Sequence, residues 1–198
     1  MARTVDPERH AARRLQIVDA ALTCFAADGY DGATTAAICR TAGIGSGTFF
    51  HYFPTKADVL LGILALGTQE TRDWFAAQAG RDDPLAVLRD WVRWSADELA
   101  DPRLPGFVRA VGAVMTQPAV AAALARDEQA QQEGLVPWVD RARSAGQVRR
   151  DRSAAELASW LALVLDGFVG RLAGGDGFTV QGQRDMLLDA VDRLLEPR

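Results

Sequence analysis

The sequence predicts an all-α protein of about nine helices, with a three-helix unit at the N-terminus and a larger helical region after it. Apolar residues recur three and four positions apart along most of the chain, which is the spacing of one face of an α-helix. Glycine and proline residues divide the chain into segments of helical length. No segment shows the alternation of a half-buried strand. A chain of 198 residues, 48% of them hydrophobic, can bury a sizeable core.

The first three helices are expected over residues 8–28 and within residues 34–53. Thr34 or Thr35 can cap the second helix, and Gly43 follows it where helices commonly end in a left-handed residue. The apolar faces of these first two helices are expected to contain Leu15, Val18, Leu22 and Phe25, then Ile38, Cys39 and Ala42.

The third helix is short and strongly aromatic. Ser46 can cap it, and Phe49 and Phe53, four residues apart, are expected to anchor it in the core. Two short helices joined by a glycine-containing turn are typical of a helix-turn-helix. In that motif the second helix lies in the major groove of DNA.

Six further helices are expected, each bounded by residues that start or stop helices. Residues 55–58, TKAD, resemble a capping box with a short acid, and Pro118 suits a first helical turn. Pro137 should kink or split its helix. The expected helices cover residues 56 to about 80, 84–100, 106–116, 118 to about 144, 154–173 and about 180–195.

The stretch from Arg13 to about Leu64 resembles the DNA-binding domain of the TetR-type family of bacterial transcriptional regulators. The resemblance rests on RRLQIVDAALTCFAADGYDGATT, on the turn residues AGIGSG, on the aromatic cluster at 49–53 and on PTKADVLLGIL. It covers roughly a quarter to a third of the chain. Many family members have tyrosine where this chain has Phe50, so one hydroxyl contact to phosphate is missing here.

The resemblance implies a helix-turn-helix DNA-binding domain in residues 1–54, with double-stranded operator DNA as its partner. Tyr52 and Lys56 look like the family's phosphate contacts, and the hydroxyl of Thr48 can reach a base edge or a phosphate. Phe50 can contact a sugar or a thymine methyl, or can pack locally. The residues expected at the DNA are Thr35, Ser46, Gly47, Thr48, Phe50, His51, Tyr52 and Lys56.

The resemblance also implies an effector-binding and dimerisation domain in residues 55–198. All five tryptophans lie there, and an aromatic lining suits an apolar or aromatic small-molecule effector. Ordinary core packing is the alternative role for such side chains. The residues expected near the effector are Trp91, Trp94, Phe107 and Met115.

The last two expected helices have wide apolar faces. The family implies a homodimer in which these two helices form a four-helix bundle with their counterparts, and Gly167 and Gly170 would allow close approach. Burial within one chain is the alternative. The residues expected in the interface are Leu157, Leu161, Val164, Leu165, Phe168, Leu187, Val191 and Leu194.

The charge of the chain is unevenly distributed. Residues 1–56 have six basic and five acidic residues, a net charge of +1, whereas the whole chain has −4. Four arginines lie within residues 1–14, and such an arm is either a DNA contact or a solvated tail. The chain has 21 arginines and one lysine, Lys56.

No catalytic, metal or cofactor motif is expected. His10 and His51 lack a partnered nucleophile, and Cys24 and Cys39 are interpreted as buried thiols, with a redox sensor as the alternative. The N-terminus is polar and no apolar run is long enough for a membrane span, so a cytoplasmic protein without a membrane partner is expected. A helical enzyme or small-molecule carrier with a vestigial helix-turn-helix is the alternative to a transcriptional regulator.

Overall fold

The computed structural model describes residues 7–197, which form nine α-helices and contain no strand. We call α1–α3 the head and α4–α9 the body. The helices are α1 (Pro7–Gly32), α2 (Thr35–Ala42), α3 (Ser46–Tyr52), α4 (Lys56–Ala77), α5 (Pro84–Glu98), α6 (Leu104–Gly112), α7 (Pro118–Ser144), α8 (Ala154–Ala173) and α9 (Val180–Leu195). The all-α prediction and the helix number are confirmed.

Local sequence signals set the ends of the helices in the head. The Thr34 hydroxyl accepts a hydrogen bond from the backbone N–H of Ala37 at 3.1 Å, so Thr34 caps α2 as expected. Gly43 ends α2 with a φ of 62°, a left-handed conformation that glycine adopts without strain. The cap expected at Ser46 is wrong, because Gly45 is the N-cap residue of α3 and Ser46 is its first helical residue.

The body packs around a core of side chains from α5, α7, α8 and α9. Helix α7 is not split at Pro137 and runs unbroken from Pro118 to Ser144. Its packing against α4 and α8 offsets the one missing backbone hydrogen bond. At Gly134 the approach to α4 is so close that a Cβ atom would lie 2.1 Å from the ring of Phe75.

The core of the head extends into the body. Phe107, Ala110 and Val111 of α6 are buried in the same apolar cluster as Ile17 and Phe25 of α1. Helix α6 therefore packs against α1, although it lies in the second of the two segments, 1–54 and 55–198, expected from the sequence.

Gly106 is the point of closest approach between α6 and α1. A Cβ atom on this residue would lie 2.1 Å from the carbonyl oxygen of Ala26 and 2.9 Å from its carbonyl carbon. Backbone atoms cannot rotate away as a flexible side chain can, so only glycine fits here without moving one helix.

We predict that Gly106→Ala destabilises the protein by about 1–3 kcal/mol, the usual cost of overpacking a close contact. Gly112→Ala is the matched control on the same helix, because a Cβ atom there meets nothing within 4 Å. Alanine's higher helix propensity should make the control neutral or stabilising. Chemical denaturation of both variants is the measurement, and equal stabilities would contradict the assigned contact.

Candidate DNA-binding surface and effector pocket

Helix α3 has one buried and one exposed side. Phe49 is fully buried, and Phe53, just past the helix end, is 2% exposed. Phe50 lies on the other side and is 52% exposed, although its ring meets Phe49 edge to face at 5.3 Å. The two buried rings fix the orientation of the helix, and the remaining residues form a solvent-facing surface.

The solvent-facing surface contains most of the residues expected at DNA. Thr35 and Tyr52 are half-buried at its edges. The exposed members are Ser46, Gly47, Thr48, Phe50 and His51. The surface thus combines a hydroxyl donor and acceptor, an imidazole and an apolar ring on a short helix, which are groups that can contact base edges and backbone in a groove.

An aromatic contact links α3 to the start of α1. The ring of Tyr52 lies against His10, with centroids 4.6 Å apart, and the His10 and His51 rings meet edge to face at 6.3 Å. His10 therefore belongs to this surface, a grouping that the sequence analysis did not predict. Of the arginine arm, residues 1–6 lie outside the described residues.

The resemblance implies that Lys56 contacts a DNA phosphate, but in the structure its ammonium is bound to backbone carbonyl groups of the head. Its ammonium donates hydrogen bonds to the carbonyl oxygens of Tyr30 at 2.6 Å and Ala33 at 3.0 Å, and reaches that of Asp31 at 3.4 Å. It also lies 4.4 Å from the centroid of the Tyr30 ring. These partners use all three ammonium protons at the C-terminal end of α1, where carbonyl groups lack helical partners.

A cavity of about 600 Å³ lies between the head and the body. Trp91, Trp94 and Phe107, three of the four residues expected near an effector, line this cavity. Met115 does not, because it falls just beyond the end of α6 and is 52% exposed. The lining also includes α1 residues that were assigned only to the core of the head: Leu15, Val18, Asp19 and Leu22.

Trp91 is the most buried aromatic residue of the pocket wall, at 2% exposure. Its ring stacks on Phe75 at 4.5 Å and lies 5.0 Å from the ring of Trp94. Its indole N–H is buried and has no acceptor in the part of the chain that the structure describes.

The pocket is also acidic, a property that the sequence analysis missed. Its lining contains six carboxylates and one guanidinium. Burial raises the pKa of Glu70, and the charges of Glu98 and Asp73 raise it further. Burial likewise raises the pKa of Asp166, with further contributions from Glu128 and Asp127. Within the lining, Glu98 thus repels Glu70 and Asp127 repels Asp166.

Arg103 supplies the one guanidinium of the lining, and this group is bound both to α1 and to Asp101, just before α6. It donates hydrogen bonds to Asp19 and Thr23 of α1 at 2.7 and 3.0 Å, and to Asp101 at 2.7 Å. These bonds hold the pKa of Asp101 below its usual range. Arg103 therefore ties the start of α6 to α1 beside the cavity.

Six of the eight residues expected at the dimer interface are buried within the chain. Leu161 is fully buried, and Leu157 and Val191 are 1% exposed, so these side chains have no surface left for a partner. Leu165, Phe168 and Leu187 are also buried in the body core, whereas Val164 and Leu194 are half-buried against it. Helix α8 is apolar on nearly every side, and periodicity could not distinguish its inner face from its outer face.

Three other large apolar residues of α8 and α9 are exposed. Trp160 and Leu163 are each 53% exposed, and Met186 of α9 is 64% exposed. Gly167 and Gly170 continue the α8 stripe and have open space where a Cβ atom would lie. We call these five residues the outer stripe.

Other site types find no support in residues 7–197. No group of three or more His, Cys, Asp or Glu side chains there is arranged to hold a metal ion. Cys24 and Cys39 are buried and unpaired, and the Cys24 sulfur lies 3.5 Å from the Thr41 hydroxyl. None of the helices in this range has the length and apolar character needed to cross a membrane.

Comparison with known proteins identifies the class to which this architecture belongs. The pattern of bacterial regulatory proteins of the tetR family matches residues 17–63. The HTH-type transcriptional repressor Rv1474c of Mycobacterium tuberculosis is 34% identical over 182 residues, covering 87% of this chain and 88% of that protein. The HTH-type transcriptional repressor AcnR of Corynebacterium jeikeium is 31% identical, covering 93% of each chain.

Solved structures agree on the fold. A transcriptional regulator from Saccharomonospora viridis, solved in complex with choline, superposes with a TM-score of 0.76 at 23% identity, covering 95% of this chain and all of that one. Salmonella enterica GusR gives a TM-score of 0.74 at 22% identity, covering 93% of this chain and 95% of that one. The chain belongs to the TetR family of bacterial transcriptional regulators, which bind DNA through a helix-turn-helix and are not enzymes.

Proposed function

We propose that the protein is a homodimeric repressor that binds a pseudo-palindromic operator and is released from it by a small-molecule effector. The observation that carries this proposal is the pocket wall, because α1 forms part of both the head and the cavity. A molecule in the cavity would touch the head directly. The repressor names of the relatives and the choline-bound neighbour support the same reading.

In the proposed complex α3 enters the major groove. Thr48 and His51 face base edges, and the backbone at Ser46 and Gly47 approaches phosphate. Tyr52 reaches the backbone from the edge of the surface. We assign Lys56 a positioning role, because its ammonium holds the end of α1 instead of extending into solvent.

The outer stripe is the proposed homodimer interface. It presents large apolar side chains and two glycines on one face of α8, with Met186 of α9 beside them. Two copies packed through this face would bury those side chains and hold two heads at a fixed separation, as a pseudo-palindrome requires.

The proposed switch works through the contact between α1 and α6. An effector between these helices would favour a conformation in which α1 has moved, and it can shift the equilibrium only by its differential affinity for the two conformations. By linkage, operator DNA would weaken effector binding by the same factor. A function on chromosomal operators places the protein in the cytoplasm.

Operator selection from random DNA, followed by a gel-shift assay, tests the proposed function. We expect a two-fold symmetric site bound far more tightly than unrelated DNA at the same salt concentration. A protein that selects no sequence, and binds all DNA equally, would contradict the proposal and favour a carrier role for the pocket.

We predict that Thr48→Ala changes base preference at one position in each half-site by about 1–3 kcal/mol, the value of a good base contact. Thr116→Ala, at an exposed site outside α3, is the control and should leave the selected sequence unchanged. Competition binding against operators with single base changes is the measurement. Uniform weakening on every operator would assign Thr48 to phosphate instead.

Lys56→Met keeps the side-chain stem and removes the ammonium. We expect a loss of about 1–2 kcal/mol of stability, because backbone carbonyls at the end of α1 lose a charged donor. The salt dependence of operator affinity should stay unchanged. A slope reduced by about 0.9 per subunit would instead reveal a phosphate contact by Lys56. Denaturation and salt titration of the same preparation separate the two roles.

We predict that Leu163→Arg yields a folded monomer whose operator affinity falls by at least about 100-fold, since two linked heads gain that much from binding together. The neighbouring change Leu161→Arg should unfold the body instead, because Leu161 is fully buried. Sedimentation and circular dichroism of both variants are the measurements. A dimeric Leu163→Arg protein would move the interface elsewhere.

A further inference from the structure

We propose that the effector is an organic cation with an apolar body, held among Glu70, Glu98, Asp127 and Asp166 against the tryptophan wall. The inference deepens the proposed function, on which it rests, and replaces the neutral apolar or aromatic effector expected from the tryptophans alone. It follows from the charge of the cavity, the burial of its wall and the hydrogen bonds of its polar groups.

The first step is the charge balance of the cavity. Four helices each contribute a carboxylate: α4 contributes Glu70, α5 Glu98, α7 Asp127 and α8 Asp166. None of the four forms an ion pair with a described residue, and Asp127 accepts only the neutral amide of Gln131 at 2.9 Å. A bound anion would add to this repulsion, whereas a cation would relieve it.

The second step is the shape and chemistry of the wall. A volume of about 600 Å³ is large enough for an aromatic or branched aliphatic body together with a charged group. Trp94 is half-buried and lines the space beside Trp91. Indole faces attract organic cations through the electron density of the ring, and the carboxylates of the same lining add a Coulomb attraction.

The third step is the burial of the aromatic wall. Trp91 lines the cavity and is 2% exposed, and its ring stacks on Phe75 and lies 5.0 Å from the ring of Trp94. Its indole nitrogen has almost no accessible surface, so Trp91 contributes its ring, and not its N–H, to the wall. A cation attracted by such desolvated rings is held more strongly than one at an exposed ring.

Arg103 connects this charge preference with the switch. Its guanidinium is the one cation in the lining, and it is shared between Asp19 of α1 and Asp101 at the start of α6. A second cation in the cavity would repel this guanidinium. The link between α1 and α6 would then weaken in the occupied state, and the head would be freer to move.

Three probes with the same phenoxypropyl body test the proposal by titration of tryptophan fluorescence. They are (3-phenoxypropyl)trimethylammonium, the neutral analogue 4,4-dimethylpentyl phenyl ether with carbon in place of nitrogen, and 3-phenoxypropane-1-sulfonate. We expect the cation to bind at least about tenfold more tightly than the neutral analogue, a difference of about 1.4 kcal/mol. The sulfonate should bind most weakly.

Charge variants assign the preference to named residues. Glu70→Gln with Asp166→Asn should weaken cation binding by about tenfold and leave the neutral analogue unaffected. Arg103→Gln should strengthen cation binding, because it releases Asp19 and Asp101. Asp189→Asn, on α9 outside the pocket wall, is the control and should change neither affinity.

The acid-to-amide variants are expected to fold. Raised pKa values mean that ionised Glu70 and Asp166 destabilise the folded state at pH values above those pKa values. The melting temperature of the double variant at pH 7 should therefore equal or exceed that of the wild type. The difference should shrink as the pH falls and the wild-type carboxyls become protonated.

The outcomes separate this inference from the proposed function. Equal or tighter binding of the neutral analogue, tighter binding of the sulfonate, or no cation binding at about 1 mM would overturn the cation preference. Cation binding that is insensitive to the double variant would overturn the residue assignment. Sequence-specific operator binding is measured separately, so it can survive all of these results, and its absence would reject the proposed function instead.

Discussion

The backbone contact between Gly106 and Ala26 determines how the head is attached to the body. Because α6 approaches α1 without room for a side chain, Phe107 and Val111 enter the core of the head. The two parts consequently share a wall, and the cavity between them is bounded by α1 itself. Under the proposed function, an effector in this cavity would contact α1 directly, because α1 belongs to the head and lines the cavity.

Electrostatics and packing make opposite contributions around this cavity. The apolar and aromatic wall favours folding, whereas partial burial and neighbouring carboxylates raise the pKa values of Glu70 and Asp166 and so disfavour their ionised forms. Pairing them with arginine within the chain would remove that cost, and the chain has arginines in abundance. Only Arg103 is used this way in the lining, and it serves the junction between α1 and α6. Titratable groups with perturbed pKa values in a cavity are candidates for a functional site.

Sequence reasoning succeeded where the deciding interactions are local. The threonine cap of α2, the left-handed Gly43 and the buried Phe49 depend on residues within a few positions of one another, and all three were predicted. It failed where a distant element decides. The unpaired carboxylates of the pocket come from four helices, and the sequence around Asp166 does not indicate which residues lie near it in the fold. The inner face of α8 could not be recognised either, because Leu161 and Leu163 are equally apolar and only packing separates them.

The shared wall also restricts how relatives of this protein can diverge. Leu15 and Val18 line the cavity and belong to α1, the helix that supports α3. A substitution at either residue that changes the pocket therefore also changes the packing beneath the proposed DNA-binding surface. Trp94 of α5 and Asp127 of α7 line the cavity but do not belong to the head. Under the proposed function, changes in ligand preference among relatives are therefore expected mainly in α5, α7 and α8, and the α1 side of the pocket is expected to vary together with the DNA-binding surface.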